Sequence, residues 1–362
     1  MRRILLPAAL VALLSVSALQ DQRLKAARGI VPDTATTAMR ADVPPMVSFA
    51  TVALGGFRGV IADLLWLRVC DMQEENRFIE LMQLSEWITT LEPGNGEVWA
   101  YHAWNLAYNV SIMHTRAEDR WRWVNAGISL LRDRGIPLNP SDARIRRELA
   151  WILLHKVGGD SDAAAPFYRQ TLRAQIAPLL TADGRPPADG DAARCDGLRA
   201  LGLLPARMRE IDARFGAVDW RLSAAQALYW ALEGLDRAGQ RERLQCRRIA
   251  YQALLSMLRG GYGMGSAADS RDPLHAPNPR LLEGTIAFLE ETLREHPFRG
   301  VRAAITGAYI DGVHLSLRAG DVAKARDYYD RIRAVCNENA TPPPFDDFVQ
   351  GRASVDWPSL LP

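Results

Sequence analysis

The sequence lacks the short motifs by which many enzymes are recognised. It contains no HExxH zinc-protease motif and no serine within a nucleophile-elbow sequence. The glycine-rich stretch GGYGMGS at 260–266 has no strand pattern before it and no Lys-Ser or Lys-Thr after it, which argues against a phosphate-binding loop. We therefore expect no enzymatic activity, no catalytic residue and no cofactor.

Cysteine is scarce, and its spacing argues against a zinc site. The four cysteines are 125, 51 and 90 residues apart, and no CxxC pair occurs, so no metal site is predicted. In an exported protein two of them can form a disulfide. Four cysteines allow three connectivities, and the spacing does not choose between them, although Cys195 with Cys246 is the first pair to test. The four residues are Cys70, Cys195, Cys246 and Cys336.

An excess of charge of one sign is also missing. The chain has 44 basic and 42 acidic residues interspersed along its length, and its formal net charge is +2. This balance produces no strong field for nucleic acid or for an anionic lipid surface. We expect no nucleic-acid partner.

What the chain does have is apolar residues, and the first run of them has the pattern of an export signal. Two arginines precede an apolar run from Ile4 to Leu14, and small residues suited to signal peptidase follow at 16–18. The run to Leu19 is shorter than the roughly 20 residues that comfortably span a bilayer. Residues 4–19 therefore fit either a cleaved signal or a short membrane anchor. The expected location is periplasmic, or anchored in the inner membrane and facing the periplasm.

A second apolar stretch covers residues 46–69 and leaves two interpretations open. Arg58 and Asp63 lie near its centre, and each costs about 3 kcal/mol in hydrocarbon. A buried first helix from near Phe57 to Glu75 is therefore favoured over a membrane-embedded segment. The residues predicted to face the protein interior are Val60, Leu64, Leu67, Val69 and Cys70.

From residue 78 onward apolar residues recur every three to four positions, which is the period of an amphipathic helix. Proline or glycine ends several of these segments, for example at Pro93 and Gly135, and no convincing strand pattern occurs. The sequence predicts an all-α fold of antiparallel helix hairpins stacked as an α-solenoid. The predicted divisions are a signal or anchor (1–24), a linker (25–50), helical repeats (51–180), a loop-rich connection (181–217), a second set of helical repeats (218–337) and a proline-rich tail (338–362).

Three stretches resemble the tetratricopeptide repeat family. They are LEPGNGEVWAYHAWNLAYN, LNPSDARIRRELAWILLHKVGGDSDAAAPFYRQTL and AYIDGVHLSLRAGDVAKARDYYDRIR. Each has some of the small, aromatic, Gly-Asp and proline positions by which paired helices approach, fill the space between pairs and turn. The stretches LGGFRGVIADLLWLRV and WNLAYNVS are also similar to exported, uncharacterised bacterial proteins of this kind. The resemblance implies stacked helix pairs and an envelope location, and it implies no activity.

Polar residues within the aromatic stretch at 99–109 are the candidate binding residues. His102, Asn105 and Asn109 recur every three or four residues, so they share one helix face. Such groups are either buried and hydrogen-bonded within the helix interface or placed along a groove. On the second interpretation, a protein or peptide partner in the envelope binds the concave surface of a scaffold. The candidate partner-binding residues are Tyr101, His102, Asn105, Asn109, Arg144 and Arg147.

Two other function classes remain open from the sequence. One is an envelope enzyme or small-ligand receptor that uses His102, Asn105 and Asn109 together with Glu148 and His155, provided that these side chains converge on one cavity. The other is an accessory subunit of a membrane transport or secretion complex, which requires residues 46–69 to lie in the membrane. Association through residues 4–19 is compatible with every one of these functions.

Overall fold

The computed structural model describes residues 58–260, 262–264, 274–336, 342–351 and 361. The predicted signal or anchor and the linker lie outside these residues, as does most of the predicted tail. Within the described residues the protein is all-α apart from one short pair of strands. The α-helices of five or more residues are α1 (Arg58–Glu74), α2 (Phe78–Leu91), α3 (Gly96–Trp104), α4 (Ala117–Ser129), α5 (Ala143–Trp151), α6 (Ala165–Ile176), α7 (Ala192–Ala200), α8 (Pro205–Phe215), α9 (Ser223–Leu235), α10 (Gln240–Gly260), α11 (Leu282–Glu295), α12 (Arg299–Arg318), α13 (Val322–Val335) and α14 (Phe345–Val349).

Several helices begin where a side chain caps them. The side chains of Asn95, Asp142, Asp191 and Asp321 each accept a hydrogen bond from a backbone N–H in the first turn of α3, α5, α7 and α13. Pro205 opens α8, where its fixed φ suits the first helical position. These local signals set the helix starts independently of tertiary packing.

Three α-helices continue directly into π-helices of six residues each. These are π1 (Asn105–Val110) after α3, π2 (Leu130–Gly135) after α4 and π3 (Ile152–Val157) after α5. A π-helix is rare because each wider turn adds a residue and weakens packing, and single π turns occur often at functional sites. The three wide turns change which side chains face the same way in the following residues.

The chain divides into two compact units, Met1–Asn105 and Leu106–Pro362. In the first unit α1 packs on α2, and α2 packs on α3. Its core contains Ala62, Val69 and Met72 from α1, together with residues of α2 and α3. Trp66 and Tyr101 pack against this core, and their rings meet edge to face with centroids 5.1 Å apart.

Most of the α1 residues that were predicted to face the protein interior are exposed instead. Val60, Leu64 and Leu67 are 55%, 61% and 65% exposed, and Cys70 is exposed, whereas Val69 is buried as predicted. Apolar residues occur on more than one side of this helix, so their period does not identify the buried side. The packing against α2 selects the side that carries Ala62 and Met72.

In the second unit the helices pack largely in chain order. α5 contacts α9, α9 contacts α10, and each of the helices from α10 to α13 contacts the next. Small residues permit the closest approaches: a Cβ added at Gly234 would lie 3.1 Å from the Cys246 sulfur, and one added at Gly312 would lie 2.8 Å from the Tyr328 ring. Trp220, Tyr229 and other large side chains fill the interior.

Two further segments, the predicted loop-rich connection 181–217 and the stretch 261–280, contain regular structure. The connection 181–217 contains α7 and α8. Within the stretch 261–280, β1 (Tyr262–Met264) pairs antiparallel with β2 (Leu274–Ala276), placing Gly263 opposite His275. Gly197 within α7 and the three-residue length of each strand conceal these elements from a period-based analysis.

The state of the four cysteines bears on the predicted disulfide. All four cysteines are free, so the pair Cys195 and Cys246 forms no disulfide. Both side chains are buried, and burial raises the pKa of the Cys246 thiol to about 12.

None of the helices in the described ranges has the length and hydropathy needed to cross a membrane.

Candidate functional site

The structure buries two of the predicted binding residues of the first unit. His102 is 4% exposed and Asn105 is 0% exposed, so their side chains offer no surface to a partner. Tyr101 is half-buried, and its hydroxyl donates to Gln73 Oε1 over 2.6 Å. His102 and Asn105 therefore lie within the packed interior of their unit.

The predicted residues of the second unit have different roles. Asn109 is half-buried on π1, and Arg144 lies on the first turn of α5 with its side chain 37% exposed. Arg147 points to α10, where it pairs with Glu242. The structure therefore leaves Asn109 and Arg144 near the surface and holds Arg147 in an interhelical ion pair.

One aromatic surface is built where π1 and π3 meet. Tyr108 on π1 and His155 on π3 are within hydrogen-bond distance, with the Tyr108 hydroxyl 3.2 Å from His155 Nδ1. The His155 ring also stacks on Trp151, with centroids 4.6 Å apart and planes inclined by 11°. Because His155 is exposed while its ring is held by two neighbours, it presents an ordered side chain to solvent. We call Tyr108, Asn109, Arg144, Trp151 and His155 the Trp151–His155 surface.

A buried ion pair fixes the inner side of this surface. Lys156 Nζ lies 2.6 Å from Asp162 Oδ2 and 5.3 Å from the centre of the Tyr108 ring. The side chains of Lys156 and Asp162 are 4% and 5% exposed. Burial opposes the charge of Asp162, but hydrogen bonds from Lys156 and the Ala164 N–H outweigh it and lower the pKa of this carboxyl. The pair therefore locks π3 against the segment that leads into α6.

The carboxyl group of Glu148, beside this surface, has a pKa that is strongly shifted from its ordinary value. Its Oε1 atom is buried and has no hydrogen-bond partner within the described part of the chain. Burial raises the pKa of Glu148 to about 7, although the charge of Arg147 opposes part of this shift. Burial and then the charge of Glu148 raise the pKa of the Tyr108 phenol. Ionised Glu148 therefore disfavours the charged form of Tyr108.

The helical phase explains why these residues share a face. Arg144, Glu148, Trp151 and His155 follow one another at intervals of four, three and four residues along α5 and π3. Sequence reasoning named Glu148 and His155 as alternatives but missed Trp151, whose signal was its position between them. Chemically, the arrangement offers stacking faces, hydrogen-bond groups and one acid that changes its charge near neutral pH.

Other site types receive no support from the geometry. Within the residues that the structure describes, no three His, Cys, Asp or Glu side chains gather in a way that would hold a metal ion. Comparison with protein-family models, with curated proteins and with solved structures finds no match to the chain.

Proposed function

We propose that this chain is a tetratricopeptide-like helical scaffold that binds a protein or peptide partner in the cell envelope. The observation that carries the proposal is the Trp151–His155 surface, where the exposed His155 ring stacks on the half-buried Trp151 and half-buried Tyr108, Asn109 and Arg144 also reach solvent. The successive packing of α9 to α13 supports a stacked, solenoid arrangement of the second unit.

The composition of the surface suits recognition of a protein. Tyrosine, tryptophan and arginine are enriched among the residues that dominate binding energy at protein interfaces. Stacking on Trp151 and contact with Tyr108 restrict the motion of His155, so less side-chain entropy is lost when a partner binds. Arg144 adds a planar donor group at the same face.

The envelope location in this proposal rests on the amino-terminal sequence. Residues 1–24 carry the export pattern described above, which makes a periplasmic or membrane-anchored protein the expectation. A scaffold in this compartment acts on another envelope protein rather than on a cytoplasmic one.

The test is affinity capture from solubilised envelope membranes with chemical crosslinking. We expect one stoichiometric partner with the unaltered chain and its loss with Arg144→Ala/His155→Ala, because both side chains lie at the surface. Phe298→Ala is the matched control, since Phe298 is 41% exposed and belongs to a different part of the second unit. If the unaltered chain captures no stoichiometric partner, the scaffold proposal is wrong.

A second candidate function is a small-ligand receptor that uses the buried carboxyl of Glu148. The unpartnered Oε1 atom and the pKa of about 7 favour it, since perturbed acids cluster at functional sites. Thermal-shift measurements against a panel of amino acids and sugars distinguish the two. This function predicts a ligand whose stabilising effect disappears in Glu148→Gln.

A further inference from the structure

A short carboxy-terminal segment lies on the hairpin formed by α12 and α13. This segment, residues 342–351, contains three prolines followed by α14. Pro344 has φ and ψ angles of −55° and 147°, which is polyproline II backbone. The N–H groups of Asp347 and Phe348 both donate to the Pro344 carbonyl, so the helix begins directly after the prolines. We call residues 342–351 the tail segment.

Two phenylalanines of the tail segment contact Tyr329 of α13. The Phe345 ring is 8% exposed and meets the Tyr329 ring edge to face, with centroids 5.5 Å apart. The Phe348 ring centroid lies 5.2 Å from that of Tyr329 and 6.0 Å from that of His314 on α12. A spacing of three residues places both phenylalanines on one side of α14. The tail segment therefore contacts both helices of the hairpin.

Polar groups fix the position of these two rings. The Tyr329 hydroxyl donates to the Pro343 carbonyl oxygen. The Arg326 guanidinium carbon lies 4.3 Å from the centre of the Phe345 ring, and a guanidinium nitrogen lies 3.5 Å from a carboxylate oxygen of Asp346. Apolar side chains three residues apart, a bonded carbonyl within a proline-rich stretch and a charge pair at the rim are typical of short peptides bound by a protein domain.

Other contacts, made without the tail segment, hold the hairpin in place. The Tyr328 hydroxyl donates to Glu283 of α11 over 2.7 Å. The Tyr309 hydroxyl donates to Glu290 of the same helix over 2.8 Å. Gly312 lets α12 approach the Tyr328 ring, because a Cβ at this position would lie 2.8 Å from it. We therefore expect the surface under the tail segment to be formed before the tail segment binds.

This surface continues beyond the tail segment. Val322, Arg326 and Tyr329 follow one another at intervals of four and three residues, so they share one face of α13. Arg326 and Tyr329 contact the tail segment, whereas Val322 is 53% exposed. A peptide that also covers Val322 buries apolar area that the tail segment leaves in water. We call His314, Val322, Arg326 and Tyr329 the α12–α13 face.

We propose that the α12–α13 face binds a partner peptide in which prolines precede an acidic Phe-x-x-Phe sequence. The tail segment has this chemistry and occupies the same face as an intramolecular competitor. A helix of five residues is unstable by itself, and most side chains of the tail segment remain partly or fully exposed. A partner peptide that covers Val322 in addition therefore displaces the tail segment.

This inference goes beyond the proposed function, because it names a second site and the chemistry of the peptide that binds there. The α12–α13 face shares no residue with the Trp151–His155 surface. Either site can therefore fail its test while the other stands.

The test measures binding of a labelled synthetic peptide, TPPPFDDFVQG, which has the sequence of residues 341–351. Fluorescence anisotropy follows its binding to the full chain. Phe345→Ala/Phe348→Ala removes the rings that hold the chain's own tail segment, so this variant should bind the peptide at least about tenfold more tightly than the unaltered chain. Adding Tyr329→Ala should reverse the gain. Phe298→Ala, which removes another exposed phenylalanine of the second unit, is the matched control and should bind as the unaltered chain does.

A protease site within residues 337–341 gives a second measurement that changes no contact residue. A short link holds a bound segment at an effective concentration on the order of millimolar, which suppresses binding of a free peptide. Cleavage after folding removes this advantage. The labelled peptide should therefore exchange onto the cleaved chain and bind it more tightly than the intact one.

The predicted role of Val322 has a test of its own. A phage library fixes PPPFDDF and randomises the residues on both sides of it. Selection against the full chain should enrich apolar flanking residues and peptides that bind more tightly than TPPPFDDFVQG. Val322→Ser should remove this gain and leave the affinity for TPPPFDDFVQG unchanged.

Four results would overturn the inference. If the folded Phe345→Ala/Phe348→Ala variant binds the peptide no more tightly than the unaltered chain, or if no peptide exchanges onto the cleaved chain, the tail segment is a fixed part of the fold. A dimer of the unaltered chain that this variant abolishes would make a second copy the occupant. Selected peptides whose affinity does not depend on Val322 would remove the reason for displacement. Loss of envelope capture in Arg144→Ala/His155→Ala without any peptide binding would leave the scaffold proposal standing alone.

Discussion

Asp162 is the residue on which the inner side of the Trp151–His155 surface depends. Its carboxylate accepts hydrogen bonds from Lys156, Arg120, the Ala164 N–H and the Tyr168 hydroxyl. We predict that Asp162→Asn destabilises the protein by about 3 to 5 kcal/mol, because Lys156 remains charged and buried without its partner. Urea unfolding at neutral pH measures this free energy.

The double variant Lys156→Met/Asp162→Asn provides the control. Removing the stranded ammonium should recover part of the lost stability, so the double variant should be more stable than Asp162→Asn alone. Because the pKa of Asp162 is lowered by folding, the stability that it contributes is lost in acid, below its unfolded pKa of about 3.9. Strictly additive losses would show that the two groups do not interact.

For Glu148 we predict that its contribution to stability depends on pH with the opposite sign to that of Asp162. Its pKa rises from 4.5 to about 7 on folding, so the folded chain keeps a proton that the unfolded chain releases. The contribution of Glu148 to stability is therefore fully present below pH 4.5 and is lost as the pH rises to about 7. We expect Glu148→Gln to match the unaltered chain at pH 4.5 and to be more stable by about 1 to 3 kcal/mol at pH 8. A difference that does not change with pH would contradict this assignment.

At the same scale, residue type alone did not identify the site. His102 and Asn105 have the same spacing as a groove-lining pair and as a pair of buried polar groups, and only the tertiary packing decides that they are buried. Trp151 was overlooked because an aromatic residue in a helix most often belongs to the core. Its role follows from the ring of His155 beside it, which the linear sequence does not place.

At the scale of the elements, the side-chain caps of four helices are local features of the sequence. Gly320 and Asp321, the Gly-Asp pair of the third stretch that resembles the tetratricopeptide repeat, connect α12 to α13. Gly320 has a φ of +77°, and Asp321 accepts a hydrogen bond from the Lys324 N–H over 2.9 Å. Both features are local, so they are readable before the fold is known.

We predict that Asp321→Ala lowers the free energy of unfolding by about 1 kcal/mol, because the first turn of α13 loses its cap. Asp321→Asn retains a capping oxygen and should lose only a few tenths of a kcal/mol. Chemical denaturation of the two variants beside the unaltered chain measures the difference. Equal losses in both variants would assign the effect to charge rather than to capping.

The π-helices show where prediction from the sequence stops. Amphipathic periodicity predicts helices from residue 78 onward, but it does not distinguish π1, π2 and π3 from the α-helices that they continue. A π turn contains an extra residue, and its cost is recovered only by contacts outside the helix, such as the pair between Lys156 and Asp162. Helical periodicity places Trp151 and His155 on one face, but the contact of His155 with Tyr108 on π1 is long-range and was not predictable from it.

At the scale of the whole molecule, the exposed apolar residues of α1 raise the question of whether this helix lies in a membrane. Val60, Leu64 and Leu67 each favour hydrocarbon by about 0.3 to 0.6 kcal/mol at the centre of a spanning helix. The exposed Asp63 and Arg68 on the same helix each cost about 2.5 to 3.5 kcal/mol there. The unfavourable contributions are several times larger, and α1, at 17 residues, is shorter than the roughly 20 needed to span a bilayer.

We therefore expect any membrane attachment of this protein to depend on residues 1–24 and not on α1. A chain produced with a protease site after residue 24 should be released into the soluble fraction by cleavage and carbonate extraction. Leu64→Ser/Leu67→Ser should be released to the same extent and should unfold within about 0.5 kcal/mol of the unaltered chain, since both side chains are exposed. Retention of the cleaved chain in the membrane pellet, abolished by these two substitutions, would instead place the exposed face of α1 in lipid and favour an accessory subunit of a membrane complex.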